Sequence, residues 1–150
     1  MKRHAISSLA LLLLAASTAN ADDKANVEAA TESWGKSIAD GCSHDPNRIA
    51  NLYAKDGVLW GTLSPSLRSD AAGIQDYFKD ICAKLPKLTV AFKDRLIRVY
   101  GDTAIDSGTY VFSFEKDGAK TDLPARYTFV LVKDGGQWQI VNHHSSAMPK

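Results

Sequence analysis

The sequence predicts an α+β domain in which a curved antiparallel sheet wraps a layer of about three helices. Three observations predict it. Helical periodicity is confined to the first half of the chain, strand-like alternation fills the second half, and the strands of that half are joined by tight turns at Gly101-Asp102, Asp117-Gly118 and Asp134-Gly135-Gly136.

The chain opens with a basic segment, Met1-Lys2-Arg3-His4, then an apolar run from Ala5 to Ala16, then Ala19-Asn20-Ala21 as a small-x-small cleavage site. Those features in that order predict a secretory signal peptide over residues 1–21, cleaved after Ala21. The apolar run falls short of the roughly 20 residues a span requires, so no membrane anchor is expected after cleavage. The mature chain, residues 22–150, is expected in the periplasm or outside the cell as a single domain, long enough for a core of its own. Loss of Lys2 and Arg3 leaves 16 basic against 17 acidic residues. That balance gives no concentrated basic surface, which argues against a nucleic-acid partner.

The first mature helix is expected from Asp22 or Asp23 to Asp40, with Val27, Ala30, Trp34 and Ile38 as its apolar stripe and Gly41 as its stop. Asp45-Pro46 starts a short second helix that buries Ile49, Leu52 and Tyr53. Asp56-Gly57 turns the chain into a brief strand, Val58 to Thr62. The clearest helix follows, from Ser69 or Asp70 to Leu85, with Ile74, Tyr77, Phe78, Ile81, Cys82 and Leu85 at helical spacing and Pro86 beyond its end.

Strands fill the rest. Leu88 to Tyr100 reads as one long bent strand, and Thr103 to Glu115 as the next, with Tyr110, Phe112 and Phe114 on one face. The last two, Arg126 to Lys133 and Gln137 to Ser145, form a hairpin. Strict alternation puts Trp138, Ile140, Asn142 and His144 on one face and Gln139, Val141, His143 and Ser145 on the other, so the adjacent histidines point in opposite directions. Arg126, Thr128, Val130 and Val132 oppose Tyr127, Phe129, Leu131 and Lys133. Neither face is fully polar. Helices are therefore expected to cover one side and a second subunit the other, making the protein a homodimer or higher oligomer.

Cys42 and Cys82 make an even pair, and in an exported protein that predicts a disulfide tying the end of the first helix to the long helix. The mature histidines, His44, His143 and His144, show no recurring ligand spacing, so neither a metal nor another cofactor is expected.

The run Asp134-Gly135-Gly136-Gln137-Trp138-Gln139-Ile140-Val141-Asn142-His143-His144-Ser145-Ser146-Ala147-Met148-Pro149 resembles the terminal strand of the calcium/calmodulin-dependent protein kinase II association domain and its small bacterial relatives, in the nuclear transport factor 2-like (SnoaL-like) superfamily. Leu52-Tyr53-Ala54-Lys55-Asp56, Gly61-Thr62-Leu63-Ser64-Pro65, Tyr77-Phe78 and Gly108-Thr109-Tyr110 resemble that group in the same order. The resemblance implies a cone-shaped, cystatin-like fold with a pocket between helices and concave sheet, and a terminal strand that lines both cavity and assembly surface. Asn142 and Ser145 stand where those domains carry a histidine and an arginine. The superfamily hosts enzymes, binding proteins and assembly hubs, so the resemblance fixes fold more than function.

Candidate pocket residues are the aromatics Trp34, Tyr53, Trp60, Tyr77 and Tyr110, the histidines His143 and His144, and the arginines Arg126 and Arg98. A charge in mid-strand needs a carboxylate or an anionic ligand, and Arg126 has Asp106 as its internal alternative. Three function classes stay open at this stage. One is an exported small-ligand-binding or oligomerisation module, with Arg126 and a histidine holding a small anionic or carboxylate ligand. Another is an enzyme of the ketosteroid isomerase or SnoaL-like type, for which Asp56 and Asp106 are the available bases. The third is a purely structural partner-binding domain.

Overall fold

The computed structural model describes the backbone of residues 7–149 and the side chains of residues 21–149. Part of the expected leader, residues 1–6, lies outside the described residues. The elements are α1 (Ser7–Ser43), α2 (Asn47–Ala50), β1 (Tyr53–Trp60), α3 (Ala71–Lys84), β2 (Thr89–Tyr100), β3 (Thr103–Lys116), β4 (Ala119–Asp134) and β5 (Gln137–Ala147). None of the described helices is long and apolar enough to cross a membrane.

α1 extends beyond its expected limits at both ends. Its first turns fall in a Leu- and Ala-rich segment of high helix propensity with no breaker before Asp22. Gly41 does not end it, since the helix runs on to Ser43. Glycine is there for closeness: a Cβ on Gly41 would lie 2.7 Å from Cγ1 of Ile49, so its absence lets α2 settle on α1. Val27, Trp34 and Ile38 are buried as the periodicity predicts, and Thr31 joins them.

Asp70 caps α3 by accepting the Gly73 N–H at 2.7 Å, and Ile74, Tyr77, Phe78 and Ile81 form its buried face. Cys42 and Cys82 are disulfide-bonded, their Cα atoms 4.8 Å apart, joining the ends of α1 and α3. The second helix is shorter than expected. Tyr53 already belongs to β1, and Asp56-Gly57 lies within that strand instead of turning into it.

The five strands lie in the order β1-β5-β4-β3-β2. The three hairpins are antiparallel, as the turn residues predict. β1 corrects the all-antiparallel expectation, because it pairs parallel to β5. No hairpin joins β1 to its neighbour, so nothing forces opposed directions, and the sheet is mixed.

Strict alternation fails once in β5. Leu131 pairs with Ile140 but Val130 pairs with Asn142, so Val141 is the extra residue of a β-bulge. The bulge reverses the phase beyond it. Trp138 and Ile140 therefore share the inner face with His143 and Ser145, all four buried, while Asn142 and His144 are exposed. This corrects the expected grouping of His144 with Trp138 and Ile140. In β4 the alternation is regular: Ala125, Tyr127, Phe129 and Leu131 are buried, and Arg126 and its companions face outward. The core is the space between that concave face and α1 and α3.

Candidate functional site

The inner face of β5 meets α1 at a buried imidazole. The His143 ring stacks on Phe129 with centroids 4.0 Å apart and receives the edge of Trp34 at 4.9 Å. Its two nitrogens join a hydrogen-bonded chain drawn from four elements. The Trp34 indole N–H donates to the Tyr53 hydroxyl at 3.2 Å. Having accepted there, Tyr53 directs its own hydrogen to Nδ1 of His143, 2.8 Å away. Nε2 then carries the proton and faces the Tyr110 hydroxyl at 3.4 Å. Tyr110 donates to Oγ of Ser145 at 2.5 Å, and Ser145 contacts the Thr62 hydroxyl. Tyr53, His143 and Tyr110 each accept one bond and donate the next, so the chain runs in one direction from the indole to Ser145.

Burial holds this chain neutral. Loss of solvent, with a smaller contribution from the neighbouring His144, pushes the His143 imidazole down to about 3. Desolvation likewise raises the Tyr53 and Tyr110 phenols above their ordinary value.

The threonine end opens on two small voids of about 10 Å³ each, room for no more than a single water. Tyr77 borders both. Its ring lies on Gly61 so closely that a Cβ there would sit 2.1 Å from Cζ. One void ends on Thr62, Tyr110, His143 and Ser145, the other on Leu63, Leu85 and Leu123, and no charged residue among those described lines either. The pocket that the resemblance implies is thus largely filled by this chain's own aromatic side chains.

A second polar cluster lies between α1 and the sheet. Asp106 is fully buried; its Oδ2 accepts from Thr31 at 2.8 Å and lies 3.3 Å from Nε of Arg95, and its Oδ1 accepts from Tyr127 at 3.1 Å. Arg95 also reaches Glu28 and Glu32, and its guanidinium carbon lies 4.2 Å from the centre of the Phe92 ring. Desolvation raises the Asp106 carboxyl despite the opposing Thr31 bond and Arg95 charge. Both oxygens are engaged and the residue borders neither void, so Asp106 serves as an internal ion-pair partner and not as a pocket base. Asp56 is exposed on β1.

The structure divides the candidate residues between two faces. Tyr53, Tyr77, Tyr110 and His143 are inside, where Trp34, Ser145 and Thr62 complete their contacts. Trp60, Arg98, Arg126 and His144 are exposed on the outer face. The internal alternative, a pairing of Arg126 with Asp106, does not occur, because β3 and β4 place the two side chains on opposite faces. Arg126 Nε instead donates to Oγ of Ser146 at 2.9 Å. The internal arginine is Arg95, which an irregularity between Phe92 and Arg95 brings beside Asp106. Among the described residues no cluster of His, Cys, Asp and Glu is placed to hold a metal ion.

Residues 23–149 match the calcium/calmodulin dependent protein kinase II association domain family. The chain belongs to that family. A protein of Xanthomonas campestris, provisionally described as such an association domain, is 40% identical, with a TM-score of 0.75 over 83% of this chain and 86% of that one. Two more distant structures share the fold. A cystatin-like, NTF2-like protein of Novosphingobium aromaticivorans is 14% identical, with a TM-score of 0.72 over 98% of this chain and 92% of that one. A ketosteroid isomerase-like protein of Erwinia carotovora atroseptica is 18% identical, with a TM-score of 0.67 over 85% and 98%. No curated protein is significantly similar in sequence.

Proposed function

We propose that this association-domain protein is an exported assembly module that self-associates through the outer face of its sheet. The observation that carries the reading is a row of paired residues crossing all five strands, Leu96, Ser107, Thr128, His144 and Trp60. Its two ends are large apolar side chains left in solvent, Leu96 at 53% and Trp60 at 50% exposure, with Tyr100 at 61% further along β2. The next row, Arg98, Ile105, Val130, Asn142 and Val58, brings half-buried aliphatics between them. A continuous face of this kind fits a self-complementary interface better than open water. On this reading Arg126 and His144 lie in or beside the contact. Light scattering of the mature protein at micromolar concentration should give at least a dimer, and Trp60→Lys with Leu96→Glu should give a monomer. A parent protein that is already monomeric overturns the reading.

A second role, binding of a small ligand inside the cone, requires Tyr77 to move off Gly61, because the voids beside it hold no more than a single water. With Arg126 outside and the imidazole neutral, a ligand held there is uncharged and mostly apolar, not the anion that Arg126 alone implied. Native mass spectrometry of the purified mature protein tests this. A co-purifying small molecule supports the role, and bare protein that takes up nothing even as Tyr77→Ala removes it.

A further inference from the structure

A second concavity, of about 330 Å³ against about 10 Å³ for the interior void, lies at the opposite end of β5. It arises from a mismatch in strand length. β1 meets β5 only from Ile140 onward, where Leu52 accepts the Ile140 N–H at 3.1 Å, so Gln137–Gln139 has β4 on one side and no strand on the other. Main-chain groups alternate sides along a strand, so the Trp138 N–H and C=O point the same way as the bonded Ile140 N–H, toward the open side.

The polar side chains around this gap have one chemistry. Ser33 on α1, Asn51 before β1, and Gln137 and Gln139 on β5 are uncharged groups that donate and accept hydrogen bonds, and no charged residue among those described lines the cleft. Trp138 forms part of the wall at only 9% exposure, and its buried indole N–H has no acceptor among the described residues. A buried donor without a partner is disfavoured and calls for explanation. The residue that carries it forms part of the wall of a cleft whose polar groups match a ligand rich in hydroxyls and whose apolar groups, Ala30, Leu52 and Ile140, suit its carbon faces.

We propose that this cleft binds a neutral polyhydroxylated small molecule of monosaccharide to disaccharide size. The volume falls in the range of small-molecule sites. Vicinal hydroxyls each donate and accept, as three carboxamides and a serine require. An extended peptide fits less well. Only one residue, Trp138, offers main-chain groups on the open edge, whereas strand addition draws on repeated rungs. The site is separate from the outer sheet face and from the hydroxyl chain.

The test uses the mature protein labelled with nitrogen-15, titrated with glucose, N-acetylglucosamine and maltose, with gluconate and glucosamine as charged controls. The indole N–H signal of Trp138, assigned through Trp138→Phe, should move saturably with at least one neutral sugar. Gln139→Leu and Asn51→Leu, on half-buried and exposed positions, should each weaken that binding by about tenfold or more with the fold intact, and the charged controls should bind about tenfold more weakly. No saturable movement up to about 50 mM sugar overturns the proposal, as does unchanged affinity in both variants. Binding of an uncharged extended tetrapeptide in place of the sugars also overturns it.

Discussion

Tyr53 donates its phenolic hydrogen to Nδ1 of His143 across 2.8 Å, which leaves the imidazole proton on Nε2, toward Tyr110. Adding a second proton to this ring would put a charge among Trp34, Phe129 and two phenols. The arrangement therefore favours the neutral form and makes His143 a source of acid sensitivity.

The sign follows from proton binding. The folded imidazole lies near 3, below the ordinary value of about 6.5 expected when unfolded, so the unfolded chain binds the proton more readily. The contribution of His143 is complete above about pH 6.5, falls as the pH drops toward 3, and is constant below that. The loss should be on the order of 3–5 kcal/mol. Asp106 works the other way, its raised carboxyl favouring the folded state as it takes up a proton. Comparing the parent with His143→Gln, by urea unfolding from pH 7.5 to pH 3, cancels that common effect. The variant should be less stable at neutral pH and show a flatter acid limb; parallel curves would remove His143 as the cause.

Tyr77 and Gly61 form a contact that only glycine permits. Gly61→Ala must push the ring aside or shift the loop, at a cost of roughly 1–3 kcal/mol. Tyr77→Leu shortens the side chain and should make the added methyl nearly free of cost, so a double-mutant cycle should show coupling of more than about 0.5 kcal/mol. Additive effects would mean that the ring does not set the constraint.

Much of this architecture is legible from residue pattern. Asp70 and Pro86 bracket α3, the Gly-containing turns mark the three hairpins, and the even cysteine pair points to its own bond. The site is less legible because it depends on irregularities that leave no compositional trace. Val141 suits a regular strand as well as a bulge, yet the bulge decides that His143 and not His144 faces inward with Trp138. A similar irregularity between Phe92 and Arg95 brings the correct arginine to Asp106. Arg126 reads as a buried charge only if both sheet faces are taken as covered; within a single chain its face is open. The direction of β1 is also hidden, because no short turn ties it to β5.

The Cys42–Cys82 bond closes a sequence separation of 40 residues between α1 and α3. Chain entropy alone assigns such a loop about 4 kcal/mol. Denatured, unreduced protein should show no titratable thiol, and reduction or a Cys42→Ser/Cys82→Ser replacement should lower the melting temperature. Two free thiols in the unreduced protein would contradict the bond, and an unchanged melting temperature would deny it a stabilising role.

The two arginines make the sharpest contrast, because their sequence contexts look alike while their surroundings differ. Arg95 is the cation facing a fully buried carboxylate, so Arg95→Met leaves Asp106 ionised in apolar surroundings or forces it to take up a proton. Breaking such a pair from one side costs roughly 3–5 kcal/mol. Adding Asp106→Asn removes the stranded charge and should restore part of that loss, since the amide can still accept from Thr31 or Tyr127. Among the described residues Arg126 has no comparable partner; its Nε bond to Ser146 is exposed. Arg126→Met should therefore leave the stability of the isolated chain within about 0.5 kcal/mol. Any larger effect of that substitution should appear only as a concentration-dependent change in assembly, because its face is the proposed interface. Urea unfolding of the three variants at two protein concentrations separates these cases. A strongly destabilised Arg126→Met at every concentration, or an Arg95→Met as stable as the parent, would reverse the assignment of internal and external arginine.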